Sequence, residues 1–285
     1  MERMTHSAAI TSLALGLIMA APAAHAICGT AEGACTLPDG SYELVLPSDG
    51  QGAVPAVMFL HGHGGSARGV LSMRGVISAL TDRGYAVIAP NGARRAEDGP
   101  RSWSFLPTFG GRDDFDFLPA VLADAGERFN IDVEGSVLAG FSSGAFMVNY
   151  LACERPDSFA AYLPVSGGFW RQQPEDCAGP VRLYQSHGWT DGVVPLEGRI
   201  LGGGRFIQGD IWAGLELWRE TLGCATHAPD RMWQEGELML RSWSCHAEAD
   251  LAFELFPGGH MIPQGWADRA INWLEASELD AEHTD

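Results

Sequence analysis

Apolar positions along the chain fall into short runs with two different periods. "SYELVLP" alternates apolar and polar side chains, the period of a half-exposed edge strand, whereas "AVMFLHG" and "GSVLAGF" are continuous apolar runs of the kind buried on both faces. "YAVIAP", "FAAYLPVSG", "VRLYQSHG", "ELMLRSWS" and "LAFELF" are read as further strands. Between them, apolar residues spaced three and four apart predict helices in "GVLSMRGVISALTDRG", "DFLPAVLADAGERF", "GAFMVNYLACE", "DIWAGLELWRETLG" and "GWADRAINWLEASEL". The second of these is read as helical despite Pro119 in an early turn. Strands and helices alternate throughout. That order predicts an α/β domain with a mostly parallel central sheet and helices on both faces, whose functional residues lie in loops at the carboxyl ends of strands.

The first residues break this pattern. Arg3 precedes the apolar run "AAITSLALGLIMAAPAA", which ends in Ala24-His25-Ala26, the small-x-small form of an export signal cleaved after Ala26. The run contains Pro22 and is shorter than the roughly 20 apolar residues a membrane-spanning helix needs. The reading is therefore a signal peptide over residues 1–26, one catalytic domain over 27–285, and a secreted or periplasmic protein with no membrane insertion after cleavage. Six cysteines in an oxidising compartment, without a Cys-x-x-Cys motif or zinc spacing, predict disulfides. Sequential pairing closes short loops: Cys28 with Cys35, Cys153 with Cys177, and Cys224 with Cys245. The 18 basic residues, all arginine, face 36 acidic ones, so the surface repels nucleic acid and anionic membranes and favours neutral substrates.

Candidate chemistry centres on "LAGFSSGAFM". A strand runs into Ser142 and a helix starts after it, so a sharp turn lifts the Ser142 hydroxyl above the sheet, and Gly140 and Gly144 let strand and helix approach closely. A serine needs a base, and in this motif the acid and then the histidine follow the nucleophile along the chain. His260, in "FPGGHMIP" after a strand and before the last helix, is the candidate base. His283 lies in a polar tail, and His227 and His246 are read as exposed loop residues near cysteines. Asp191, in "SHGWTDGVVP", is the candidate acid. Asp176 precedes its strand, and Asp210 is better explained as a helix cap.

A tetrahedral intermediate also needs preset donors for its negative charge. "FLHGHGGS" ends the first buried strand and is similar to the His-Gly-Gly-Gly loop of lipases and esterases, which assigns the oxyanion donors to the backbone N–H groups of His63 and Ser143, with Gly64 as the substitute for the first. His61 and His63 could form a metal-binding pair, but a third ligand at suitable spacing is missing, so no metal is assigned and no cofactor is required. His187 is read as structural. Trp103, Phe105, Trp189 and Trp212 are read as packing residues.

With "LHGHGGS", "GFSSGA", "HGWTDGVVP" and "GGHMIP" in this order, the chain resembles the exported esterase family that includes poly(3-hydroxybutyrate) depolymerases and feruloyl and acetylxylan esterases. The resemblance implies an α/β-hydrolase fold, a Ser142–Asp191–His260 triad, and hydrolysis of neutral carboxylic esters through an acyl-enzyme. Hydroxyalkanoate polymer or oligomer esters are the first expectation and plant polysaccharide esters the alternative. A non-catalytic ester- or polymer-binding protein on the same fold is the rival from another class. Three places depart from the family's pattern: Phe141 before the serine, Ala145-Phe146 after Gly144, and Met261-Ile262 after the histidine.

Overall fold

The computed structural model describes residue 28 and residues 33–48, 52–246 and 249–282. The expected signal segment and His283 lie outside the described residues. In chain order the first half comprises β1 (Cys35–Leu37), β2 (Gly40–Val45), β3 (Val54–Leu60), α1 (Ala67–Leu71), α2 (Arg74–Asp82) and β4 (Ala86–Pro90). It continues with a small hairpin, β5 (Ala93–Arg94) and β6 (Arg101–Ser102), then α3 (Asp114–Phe129) and β7 (Ile131–Phe141). Next come α4 (Ser143–Glu154), β8 (Tyr162–Val165), β9 (Arg182–Gly188), a second hairpin of β10 (Arg199–Leu201) and β11 (Phe206–Gln208), and α5 (Ile211–Thr221). The chain closes with β12 (Arg231–Glu235), β13 (Leu238–Ser244), β14 (Asp250–Phe256) and α6 (Trp266–Glu282).

Ten strands form one sheet in the order β1-β2-β4-β3-β7-β8-β9-β14-β13-β12. From β4 to β14 every neighbouring pair is parallel, and both ends of the sheet are closed by antiparallel strands. Period-two alternation divides the core between the faces. In β3, Ala56, Met58 and Leu60 pack with Leu118, Val121, Leu151 and Trp218 of α3, α4 and α5. Val57 and Phe59 pack with Val70, Ile77, Leu80 and Leu274 of α1, α2 and α6.

Three local features differ from the sequence reading. "SYELVLP" is not the sheet edge, because the short β1 pairs outside it. The helix expected over "GVLSMRGVISALTDRG" is two helices. Ser72 caps α1 and its hydroxyl donates to the Arg68 carbonyl at 2.7 Å, a local bond that competes with helix continuation. The exposed strand β12 and both small hairpins carry no apolar period and were not expected. Pro119, by contrast, sits inside α3 as expected. It cannot donate to the Phe115 carbonyl, and Arg155 Nη1 supplies that missing donor at 3.1 Å.

The three cysteine pairs Cys28–Cys35, Cys153–Cys177 and Cys224–Cys245 are disulfides in the structure. The second ties the end of α4 to the loop before β9. The third ties the turn after α5 to the end of β13.

Candidate active site

At the carboxyl end of β7 the chain reverses through Ser142, whose φ of 55° and ψ of −117° lie where non-glycine residues are rarely found. Two contacts hold that conformation. The Ser142 N–H donates to the Val165 carbonyl of β8 at 3.0 Å, and the Ser142 carbonyl accepts from Phe146 in the first turn of α4 at 3.1 Å. The flanking glycines are required by close approach. A Cβ on Gly144 would lie 2.4 Å from the Leu60 carbonyl oxygen, and one on Gly140 would lie 2.6 Å from the Gly144 carbonyl carbon. Any side chain there would push β3, β7 and α4 apart.

Asp191 and His260 arrive from the loops after β9 and β14, which are parallel neighbours and so end on the same edge of the sheet. His260 Nε2 lies 2.8 Å from Ser142 Oγ, and His260 Nδ1 lies 2.7 Å from Asp191 Oδ2. The other carboxylate oxygen accepts from the N–H groups of Val193 and Val194, each at 2.8 Å. Burial by itself would raise the Asp191 pKa. The His260 hydrogen bond and the two backbone donors outweigh it, and the carboxyl is held below its ordinary value of 3.8. An ionised Asp191 fixes the proton on His260 Nδ1, which leaves Nε2 as the acceptor facing the serine hydroxyl. The Phe141 ring covers His260, with ring centroids 4.7 Å apart.

His187 supports the acid loop, as its structural reading requires. Its Nε2–H donates to the Val194 carbonyl at 2.8 Å, and burial pushes its pKa down, so the ring is neutral beside Asp191. His227 and His246 are exposed and take no part in the site.

The "HGHGG" loop lies against the nucleophile: a Cβ on Gly62 would sit 3.3 Å from Ser142 Cβ. The structure separates the two candidates for its oxyanion donor. The Gly64 N–H is spent on the Arg101 carbonyl at 2.8 Å, and Gly65 donates to Gly62 at 3.0 Å. The loop's own hydrogen bonds do not take up the His63 N–H. Ser143 opens α4, so its N–H has no intrahelical acceptor. The His63 side chain is exposed. The buried His61 ring is engaged at both nitrogens, with Nδ1 2.7 Å from the Gly62 carbonyl and Nε2 accepting from the Gly92 N–H at 2.9 Å.

Trp103 packs as the sequence reading had it, but its hydrogen bond, and Ser102 altogether, escaped that reading. Trp103 is fully buried, and its indole N–H donates to the His61 carbonyl at 2.8 Å. Ser102 Oγ lies 3.1 Å from Ser143 Oγ. The segment around β6 therefore holds the oxyanion loop at His61 and the start of α4 at Ser143. The available signal was chemical, since a buried tryptophan needs an acceptor for its N–H. Phe105 packs as expected, and Trp212, although 37% exposed, packs edge-on against the buried Phe253 with centroids 5.4 Å apart, whereas Trp189 is 41% exposed.

No protein-family profile matches the chain. An oxidized polyvinyl alcohol hydrolase of Pseudomonas sp is 27% identical over 52% of this chain and 47% of its own length. A probable feruloyl esterase C of Aspergillus clavatus is 28% identical over 62% of this chain and 64% of its own. The chain thus matches about half to two thirds of these relatives. Among solved structures, an acetyl xylan esterase from Aspergillus awamori superposes with a TM-score of 0.61 at 16% identity, covering 82% of this chain and 93% of that one. In fold the chain is an α/β-hydrolase, and in sequence it is similar to proteins named as a hydrolase and as a probable feruloyl esterase.

Proposed function

We propose that the protein is a serine carboxylic ester hydrolase. The observation that carries this is the unbroken line from Ser142 Oγ through His260 to Asp191, at 2.8 and 2.7 Å, on a strained strand-to-helix turn. His260 Nε2 accepts the Ser142 proton as Oγ attacks the ester carbonyl carbon. The carbonyl oxygen, now negative, meets the N–H groups of His63 and Ser143. Collapse of the tetrahedral intermediate expels the alcohol oxygen, which takes the proton from His260 and leaves an acyl-enzyme. Water, deprotonated by the same histidine, then releases the acid. Asp191 keeps the imidazole in the productive tautomer and stabilises its charged form.

Two substrate classes fit this chemistry. The names of the Aspergillus relative and of the acetyl xylan esterase support feruloyl or acetyl esters of plant polysaccharides. The motif resemblance supports hydroxyalkanoate esters. The three disulfides fit export to an oxidising compartment. The test is a nitrophenyl-ester assay combined with labelling by a fluorophosphonate. Parent protein is expected to hydrolyse and to be labelled at Ser142, and Ser142→Ala to do neither. Folded parent protein inert in both assays would instead indicate a non-catalytic binder.

A further inference from the structure

A cavity of about 720 Å³ opens beside the triad, and the catalytic geometry leaves it without a role. Its walls are Met73, which caps α2, and Val76 of α2, Phe141 before the nucleophile, and His260, Ile262 and Pro263 of the loop that leads into α6. Met73, Val76 and Ile262 are only partly buried against the core on this face of the sheet. The reason is local. From the N-cap of α2 onward, Met73, Val76 and Ala79 recur every three residues as one apolar stripe. Opposite them runs "PGGHMIPQG", residues 257–265, which has neither helix nor strand and cannot cover that stripe as a helix would. The segment that carries the base therefore also forms one wall of the cavity.

We propose that this cavity receives the alcohol portion of the ester and that the portion it selects is neutral and apolar. The inference rests on the esterase reading above. In the acylation step the proton removed from Ser142 passes through His260 Nε2 to the alcohol oxygen as its bond to the carbonyl carbon breaks. The oxyanion stays with the His63 and Ser143 donors, so the departing oxygen and the group it carries lie on the His260 side. Ser142 does not line the cavity. His260 belongs to both the triad and the cavity wall, and the alcohol runs from one to the other past the imidazole.

The lining sets the chemistry of the occupant. Apart from His260, its charged members are Arg74 and Asp268, one of each sign, so the cavity has no net charge to recruit an ion. Methionine, valine, isoleucine, proline and phenylalanine reward apolar area, and the volume lies within the range of small-molecule sites. An alkyl, aryl or methyl-branched hydroxyacyl alcohol fits such walls. A polyhydroxylated sugar would find few side-chain partners there beyond Arg74, Gln264 and Asp268, and would gain little from the apolar walls. On this ground hydroxyalkanoate-like esters rank above polysaccharide esters as substrates.

The test compares two ester series. One fixes the acyl group as acetate and lengthens the alcohol from ethyl through butyl to octyl. The other fixes the alcohol as ethyl and lengthens the acid over the same range. In the parent, the specificity constant is expected to rise along the alcohol series by roughly fourfold per buried methylene until the cavity fills. Val76→Trp should lower the ratio of octyl to ethyl acetate by about 10-fold while sparing the trend of the acyl series. Gly75→Leu is the second variant. Gly75 lines the cavity within α2, and a Cβ there meets nothing within 4 Å, so the added side chain narrows the space without crowding the core. A parent indifferent to alcohol length, or variants that change the acyl trend instead, would overturn the cavity assignment and leave the esterase reading standing. A parent that hydrolyses no member of either series overturns both.

Discussion

The indole N–H of Trp103 donates to the main-chain carbonyl of His61 at 2.8 Å, joining the segment after β6 to the loop after β3. The next hydrogen bond along, from the Gly64 N–H to the Arg101 carbonyl, pins the far side of the same loop. Between those two anchors lies His63, whose N–H is the proposed oxyanion donor. Removing one anchor leaves the donor in place but loosens its aim. Trp103→Phe is expected to lower kcat about 10-fold with little change in KM, short of the roughly 10²- to 10³-fold effect of deleting a donor outright. It should also cost about 1 kcal/mol of stability through the orphaned carbonyl. Steady-state kinetics on a nitrophenyl acetate and a denaturant titration check both; a change confined to KM would sink the positioning role.

Ser143 contributes its backbone N–H to the proposed mechanism, whereas its hydroxyl is turned to Ser102. Ser143→Ala therefore keeps the donor and breaks only the hydroxyl pair. Activity is expected to stay within about 10-fold of the parent, with a stability loss near 1 kcal/mol. Complete loss of activity in a folded Ser143→Ala protein would mean that the hydroxyl, not the N–H, does the work.

Asp191→Asn preserves the acceptor for Val193 and Val194 but presents an amide N–H₂ to His260 Nδ1. The imidazole must then carry its proton on Nε2 and cannot accept one from Ser142. The expected fall in kcat is on the order of 10⁴-fold with the fold intact. A fall of less than tenfold, measured by the same ester assay, would remove Asp191 from the acid role.

His61 makes stability depend on pH. Burial pushes its pKa from 6.5 to about 4, with the Arg101, Arg112 and His63 charges acting in the same direction against the Gly62 hydrogen bond. Protonation would also place an N–H on Nε2 where the Gly92 N–H already points. Because the folded value lies below the unfolded one, the contribution is complete above pH 6.5 and is lost as pH falls toward 4. Between pH 7 and 4.5 the loss is about 2 to 3 kcal/mol. His187, also held neutral by burial, adds a loss of the same sign. The difference between parent and His61→Gln isolates His61, and denaturant unfolding at the two pH values measures it. Asp191 does not confuse the window, since its contribution fades only below its ordinary 3.8. Equal pH dependence in both proteins would refute the assignment.

The strands that carry the candidate triad were legible because they are buried on both faces, and double burial leaves a continuous apolar run that local sequence cannot hide. β3 and the second half of β7 announce themselves in this way, while β9 and β14 are read as strands although they bury Gln185, Ser186, His187 and Glu254, and Ser142, Asp191 and His260 were found as the residues just past strand ends. Exposed elements leave no such trace. Every residue of β12 is exposed, so "RMWQE" has no buried face to impose a period. The break between α1 and α2 falls at Met73, whose ψ of 67° leaves the helical region while the residues on either side keep an apolar face.

What the sequence determined by itself was which segments must be buried, where they stop, and which reactive side chains stand at those stops. Those properties follow from the hydration of apolar surface and from backbone geometry over a few residues, and both are local. The tertiary structure decided which of those stops meet. Asp191 and His260 touch because β9 and β14 are neighbours, although 69 residues separate them. Trp103 reaches His61 across 42 residues because β5 and β6 fold back beside the end of β3. The same holds for the cavity beside His260, whose walls come from a helix near the start of the chain and a loop near its end. Such contacts depend on strand order and crossover. No short stretch of chain encodes strand order, because the free energy that selects it is summed over the whole packed sheet.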